Sequence, residues 1–244
     1  MTTQEEYSIF KSNLAIQSQS NLTNIQHKIF NQTIYLFKKN GWNKAFIFFS
    51  NVNLNKYGAD NRKFSHKELK KIFKGLLTNL LELVDNEKLE EYEATGYLSS
   101  VQINRLVTKV NMDISLKNLL DVNYVNEQGV KNTLKGYTKL DLNMVERLDL
   151  MHSIPIYELL KCKSFANRKV TLSFEYLYKM FGEKKNSYKN FGEFNRRVLT
   201  PRIEEINLKT DLKIKFELIK ESNKVVAIDF YVTGKSKKEL RGIA

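Results

Sequence analysis

The chain has 244 residues, enough for one large domain or two small ones, and 42% of them are hydrophobic. Its formal net charge of +13 favours a polyanionic partner, with nucleic acid as the first candidate. The single cysteine, Cys162, excludes an internal disulfide, and no apolar run approaches the roughly 20 residues that a membrane span needs. The first residues also lack the pattern of a signal peptide, so we expect a cytoplasmic protein without a membrane partner.

The first elements of the chain are predicted to be mostly helical. Apolar residues at helical spacing predict a helix over 21–40, and the apolar run 45–49 predicts a buried strand. Ser65 and Glu68 have the spacing of a capping box, which predicts a helix from Ser65 to about Val84.

Strands are predicted to follow an acidic loop at residues 85–93. Three segments have the composition of strands, and the alternation of apolar residues is clearest in the second: 97–106, 109–116 and 137–142. Helices followed by a sheet are typical of a winged-helix domain with an enlarged sheet. We assign this domain to residues 1–148.

The second half of the chain has a clearer order of elements. A helix is predicted over 151–165, with Pro155 in its first turn, and a short strand over 169–173. Ser173 is expected to cap a helix that ends at Gly182. A long helix follows at 187–211, and then two alternating strands, 213–219 and 225–232, with a tip at 221–223. Helix, strand, helix, helix, strand, strand is the order of a winged helix, assigned to residues 149–244.

The predicted long helix at 187–211 has an apolar and a polar side. The apolar side consists of Phe191, Phe194, Val198, Ile203 and Ile206. Thr200-Pro201 interrupts it and predicts either a kink or a restart with Thr200 as N-cap. A basic face opposite a buried back suits the major groove of DNA, because Arg can read guanine, and Asn and Glu can read adenine and cytosine.

The candidate DNA-binding residues surround this helix. For reading bases we select Lys189, Asn190, Glu193, Arg196 and Arg197. For holding phosphate we select the residues before the helix, Lys184, Lys185, Asn186, Ser187 and Tyr188, one basic residue beyond the proline, Arg202, and two on the predicted wing, Lys213 and Lys215. A solvated charged surface is the simpler alternative for each group.

A second basic stripe lies on the predicted helix that begins at Ser65. Its members are Lys67, Lys70, Lys71 and Lys74. The stripe could contact a further groove segment, or it could be the ordinary outer face of an amphipathic helix.

Residues 156–232 resemble the C-terminal half of replication initiator (Rep) proteins of iteron-containing bacterial plasmids. The most specific part is a Tyr-x-x-Phe-x-x-Phe-x-x-x-Val-Leu-x-Pro-x-x-x-Glu-Ile-Asn pattern, which here comprises Tyr188, Phe191, Phe194, Val198, Leu199, Pro201, Glu205, Ile206 and Asn207. Residues 14–150 resemble the N-terminal domain of the family only loosely, through the order of elements more than through a motif.

The resemblance implies an α+β fold with two tandem winged-helix domains. It implies binding of origin repeats (iterons) as a monomer, melting of adjacent AT-rich DNA, and repression of the protein's own promoter by a dimer bound to an inverted repeat. The dimer would form through the N-terminal domain, and the long helix would enter the major groove. The implied partners are double-stranded DNA, a second copy of the chain, and host replication proteins such as the replicative helicase, with no cofactor.

Three alternatives remain open: a winged-helix transcription regulator, a nicking nuclease, and a basic scaffold without sequence preference. The histidines, His27, His66 and His152, are isolated, and no phosphate-binding loop motif is present. We therefore expect no metal site and no catalysis. Glu204, Glu205 and Asp211 are interpreted as charges on a helix surface.

Overall fold

The computed structural model describes residues 7–18, 21–58, 61–86, 91–124, 136–164, 168–180 and 191–241. The chain divides into two compact units, unit 1 (Met1–Ser18 and Ile25–Glu146) and unit 2 (Gln19–Asn24 and Arg147–Ala244). Within the described ranges, no helix is both long and apolar enough to cross a membrane.

Unit 1 combines helices with short antiparallel strands. Up to residue 146 the helices are α1 (Asn13–Gln17), α2 (Asn24–Asn40), α3 (Asn51–Leu54) with a 3₁₀ turn at Asn55–Tyr57, α4 (His66–Thr78), α5 (Ile114–Leu120) and α6 (Leu142–Glu146). The strands are β1 (Ser8–Ser12), β2 (Ile47–Ser50), β3 (Leu80–Asn86), β4 (Glu91–Gly96), β5 (Ser100–Ile103), β6 (Val107–Asn111) and β7 (Tyr137–Asp141). They form a three-stranded sheet in the order β2-β6-β5 and two pairs, β3-β4 and β1-β7.

The start of α4 was predicted correctly, but its end was not. The Ser65 hydroxyl accepts a hydrogen bond from the backbone N–H of Glu68, and the Glu68 carboxylate accepts one from the backbone N–H of Ser65, which confirms the capping box. The helix ends at Thr78 and not near Val84, because Leu80–Asn86 pairs with β4 as a strand. Part of the predicted acidic loop is therefore a β-hairpin, whose tip lies outside the described residues.

The predicted strand over 109–116 is correct only as far as Asn111. β6 ends at Asn111, and Asp113 then caps α5 by accepting a hydrogen bond of 2.9 Å from the backbone of Ser115. The alternation of apolar residues continues past Asn111, but Ile114 lies in the first turn of α5, and its side chain is exposed. The local capping interaction decided the structure here.

The winged-helix order can be followed through unit 1. Helix α2, strand β2, the short α3 and helix α4 are followed, after the β3-β4 hairpin, by the β5-β6 pair. β2, the first strand of this series, lies at one edge of the three-stranded sheet, and β6, the last strand, lies in its middle. Unit 1 is thus a winged helix with a hairpin inserted between its third helix and its wing.

Unit 2 has the same series without the insertion. Its elements are α7 (Ser153–Ser164), β8 (Lys169–Ser173), α8 (Phe174–Met180), α9 (Phe191–Phe194), a π-helical turn (Asn195–Leu199), α10 (Thr200–Lys209), β9 (Leu212–Glu221), β10 (Lys224–Gly234) and α11 (Lys237–Arg241). The strand order β8-β10-β9 repeats the order β2-β6-β5 of unit 1. The predicted fold class, α+β with two tandem winged-helix domains, is confirmed.

Local signals in unit 2 were also predicted correctly. Pro155 lies in the first turn of α7, and Ser173 accepts a hydrogen bond of 3.1 Å from the backbone of Tyr176 at the start of α8. The predicted end of α8 at Gly182 lies outside the described residues. The wing turns at Ser222 and Asn223, whose φ angles of 46° and 67° suit a two-residue hairpin turn.

Candidate nucleic-acid interface

The long helix of unit 2, residues 191–209, consists of α9, the π-helical turn and α10. The predicted apolar side is confirmed, since four of its five members are buried: Phe194, Val198, Ile203 and Ile206. The fifth, Phe191, packs edge-on against Phe174 of α8 with ring centroids 5.3 Å apart, and Phe194 contacts the same ring at 5.3 Å. This aromatic cluster fixes the beginning of the long helix on the body of unit 2.

Two guanidinium groups lie on the opposite side of the long helix. Arg196 and Arg197 are both exposed. Arg197 pairs with Glu193, one turn earlier, at 3.3 Å. Within the described part of the chain, no hydrogen bond or ion pair involves the guanidinium of Arg196. The helix therefore presents one paired and one solvated arginine to a ligand, beside the carboxylate of Glu193.

The helix passes Pro201 by widening its preceding turn. The backbone N–H of Thr200 donates to the carbonyl of Asn195, five residues earlier, which is the π-helical pattern. Thr200 itself has helical angles, φ −56° and ψ −51°, so the predicted restart with Thr200 as N-cap is wrong. The wide turn accommodates the proline ring and the missing donor without ending the helix.

Arg202 was predicted to hold phosphate, and the structure gives it two partners within unit 2. Its Nε donates to the carbonyl of Met151 at 2.9 Å, and its Nη1 donates to the carbonyl of Arg197. Met151 precedes α7, and Arg197 lies in the wide turn. The guanidinium therefore joins two segments that are far apart in the sequence.

Glu205 is buried, so its interpretation as a surface charge is wrong. Only 6% of its side chain is exposed, and its carboxylate accepts hydrogen bonds from the backbone of Asp149 (2.8 Å) and Leu150 (3.1 Å). Lys209 donates to Glu205 at 2.9 Å and to the carboxylate of Asp149 at 2.7 Å. Burial by itself raises the pKa of Glu205, but hydrogen bonds from Lys209 and from the backbone of Asp149 and Leu150 outweigh it and lower the pKa.

Asp211 is also more than a surface charge. It accepts hydrogen bonds from the hydroxyl of Tyr157 at 2.8 Å and from Lys161 at 2.6 Å. Both donors lie on α7, so Asp211 attaches the end of the long helix to the first helix of unit 2. Glu204, by contrast, is exposed, as predicted.

The wing residues selected from the sequence face outward. Lys213 and Lys215 are exposed on β9, and Lys213 lies 3.8 Å from Glu239 of α11 in a loose, exposed pair. Lys215 lies opposite Tyr231 of β10. Both lysine side chains are therefore accessible to a phosphate group of bound DNA.

Seven of the selected residues lie outside the described residues. They are Lys184, Lys185, Asn186, Ser187, Tyr188, Lys189 and Asn190. The structure therefore brings together Glu193, Arg196 and Arg197 on one helix, while the residues before it remain a prediction from sequence.

Unit 1 has a basic helix at the equivalent place in its winged-helix series. Helix α4 buries Leu69, Phe73 and Leu76 and exposes all four members of the predicted stripe, Lys67, Lys70, Lys71 and Lys74. The tip of the β5-β6 pair adds Arg105, which is exposed and which the sequence reasoning missed. The sequence signal that could have identified Arg105 is its position between two short runs of residues that favour strands.

Metal binding finds no support in the described ranges, where no group of three or more His, Cys, Asp or Glu side chains could hold an ion. Cys162 is a buried thiol on α7.

Comparison with known proteins supports the resemblance. Residues 173–232 match the family model described as the WH2 domain of initiator Rep proteins. This segment spans α8, the long helix and most of the wing. No curated protein sequence matches the chain.

A solved structure of the Pi initiator protein in complex with iteron DNA is similar to the whole fold. It has a TM-score of 0.65 and 16% identity, and the match covers 96% of this chain and 100% of that one. At this identity the similarity concerns the fold. The family match, together with this fold, confirms the predicted relation to plasmid replication initiators.

Proposed function

We propose that this protein, whose residues 173–232 match the WH2 domain of initiator Rep proteins, binds double-stranded DNA at origin iteron repeats and initiates plasmid replication. The observation that carries this proposal is the exposed face of the long helix. Arg196 and Arg197 project from a helix whose opposite side is buried, in the segment that matches the family. The similar Pi initiator was solved in complex with iteron DNA, which supports the same ligand here.

Recognition would combine two kinds of contact. Arg196, Arg197 and Glu193 are suited to base edges in the major groove, because guanidinium groups donate in pairs to guanine and a carboxylate accepts from cytosine. Lys213, Lys215 and residues 184–188 would hold the phosphate backbone and thereby set the position of the helix. The net charge of +13 favours the sequence-independent part of binding.

Unit 1 would add an auxiliary DNA contact. Helix α4 occupies the place in unit 1 that the long helix occupies in unit 2, and its outward side has four lysines but no arginine. Lysine is a compact charge without the planar fork that reads guanine. We therefore propose that α4 contributes affinity through phosphate, while unit 2 contributes most of the sequence choice.

Initiation would proceed by binding alone, without a catalytic step or a cofactor. Several copies on adjacent repeats would bend and strain the duplex, which promotes melting of neighbouring AT-rich DNA because flexible steps deform at lower cost. The opened region would receive host replication proteins such as the replicative helicase. This function places the protein in the cytoplasm with the plasmid.

Repression of its own promoter by a dimer is the second part of the proposal. Strand β2 is at an edge of its sheet, and two nearby apolar side chains of unit 1 are largely exposed, Phe48 (60%) and Val52 (72%). An edge strand beside exposed apolar side chains is suited to a second copy of the chain. A two-fold dimer would bind an inverted repeat, since the symmetry of the site follows that of the protein.

Footprinting on the DNA flanking the protein's own gene tests the proposal. The wild-type protein should protect evenly spaced direct repeats, and the double variant Arg196→Ala/Arg197→Ala should lose that protection. Protection of an inverted repeat alone would favour a dedicated transcription regulator. Uniform weak binding that the variant does not change would contradict the role of the long helix, and metal-dependent cleavage of the DNA would indicate a nuclease.

A further inference from the structure

We infer that Arg202 is a positioning residue for DNA recognition, which holds the wide turn that carries Arg196 and Arg197, and that it does not itself contact DNA. This inference rests on the proposed function, because it concerns how the long helix reads sequence. It assigns a role to Arg202 that differs from the phosphate contact expected from its charge.

The first argument is the gap that Pro201 leaves in the helix. In a regular α-helix the carbonyl of Arg197 accepts from the backbone N–H of residue 201, but a proline at that position has no N–H. The Nη1 of Arg202 donates to that carbonyl. A side-chain donor thus replaces the missing backbone donor.

The second argument is that the same guanidinium reaches a fixed point outside the helix. Its Nε donates to the carbonyl of Met151 at 2.9 Å, in the turn before α7. That turn is itself attached to the long helix, because Glu205 accepts from the backbone of Asp149 and Leu150. Arginine suits this place because its planar group offers several donors in a rigid arrangement.

The third argument concerns what the wide turn does to neighbouring side chains. In residues 195–199 the two arginines are both exposed, and the next two residues, Val198 and Leu199, are both buried. A π-helical turn contains an additional residue, so its release would rotate the arginines relative to the buried side of the helix. Arg202 holds the backbone of Arg197 directly and therefore fixes the direction of both guanidinium groups.

Reading bases depends on that direction, whereas attraction to phosphate does not. Loss of Arg202 should therefore lower affinity for the preferred sequence and leave affinity for random DNA nearly unchanged. A direct phosphate contact would have the opposite signature, because its loss weakens binding to every sequence and lowers the salt dependence by about one unit.

The experiment uses the full chain and two fluorescent duplexes of equal length. One duplex is selected by the wild-type protein from a random-sequence pool, and the other is its scrambled version. Binding is measured at several salt concentrations for the wild type, Arg202→Ala, Arg202→Lys and the control Arg196→Ala. Circular dichroism and thermal unfolding show that each variant is folded.

For Arg202→Ala we expect the ratio of specific to random affinity to fall about tenfold, with an unchanged salt slope on random DNA. Arg202→Lys should show the same loss, because lysine retains the charge but lacks the planar guanidinium that donates to the carbonyls of both Met151 and Arg197. Arg196→Ala removes a proposed base contact, so it should lower the same ratio. The inference is overturned if Arg202→Ala lowers the slope on both duplexes while Arg202→Lys restores it. If the wild type selects no sequence, the proposed function itself fails, and the inference fails with it.

Discussion

The side-chain amide of Asn207 makes two hydrogen bonds with the backbone of Ile214, donating to its carbonyl at 2.8 Å and accepting from its N–H at 2.6 Å. In this way the long helix takes the place of a neighbouring strand at the start of β9. The pairing attaches the helix that carries the arginines to the wing that carries the lysines. It also gives a physical reason for the Asn that ends the sequence pattern of this helix.

Replacing Asn207 with Ala should destabilise unit 2 by about 2–3 kcal/mol, because it leaves two partly buried backbone groups without their partner. Urea unfolding followed by circular dichroism measures this change. Glu204→Ala, an exposed residue on the same helix, is the control and should remain within about 0.5 kcal/mol of the wild type. Equal stabilities of the two variants would contradict the role of the Asn207 pair.

The buried carboxylate of Glu205 should make stability depend on pH. Its pKa is lowered in the folded protein, so its contribution is present above the unfolded value of about 4.3 and is lost as pH falls through the folded pKa. Glu205→Gln should therefore destabilise unit 2 by about 1–3 kcal/mol at neutral pH, with a smaller difference in acid.

Urea midpoints for the wild type and Glu205→Gln, measured from neutral pH into the acid range, test this prediction. The exposed neighbour variant Glu204→Gln should follow the wild type throughout. A constant difference between wild type and Glu205→Gln at every pH would mean that packing, and not ionisation, is responsible.

Glu193 should increase sequence choice and decrease overall affinity. Its carboxylate lies beside Arg197 at 3.3 Å on the face proposed to enter the groove, where it repels phosphate. Glu193→Gln should raise affinity for random duplex DNA by about two- to fivefold and lower the preference for the selected sequence. Fluorescence anisotropy on both duplexes measures the two effects, and a uniform loss of affinity would contradict this role.

The lysines of α4 should contribute to affinity without sequence preference. The double variant Lys70→Ala/Lys74→Ala should lower the salt slope of binding by about two units and leave the preferred sequence unchanged. Lys220→Ala/Lys238→Ala removes the same charge from exposed positions outside α4 and controls for net charge. If both double variants behave alike, α4 makes no specific contact.

Short-range signals in the sequence were sufficient for much of the fold and for the side of the long helix that carries the arginines. The capping pair Ser65 and Glu68 is three residues apart, and the apolar stripe from Phe194 to Ile206 repeats at helical spacing. Such features depend on neighbouring residues alone, so the sequence determines them. The order of elements in unit 2 followed from the same kind of signal.

Only the tertiary structure decided the features that join distant residues. β3 is a strand because it pairs with β4, although its sequence also continues the spacing of α4. Glu205 is buried because amides of Asp149 and Leu150, more than 50 residues earlier, point at its carboxylate, and Arg202 is held at a similar sequence distance by Met151. Charge and periodicity do not specify which backbone groups will lie beside a side chain, because that depends on how the whole unit packs.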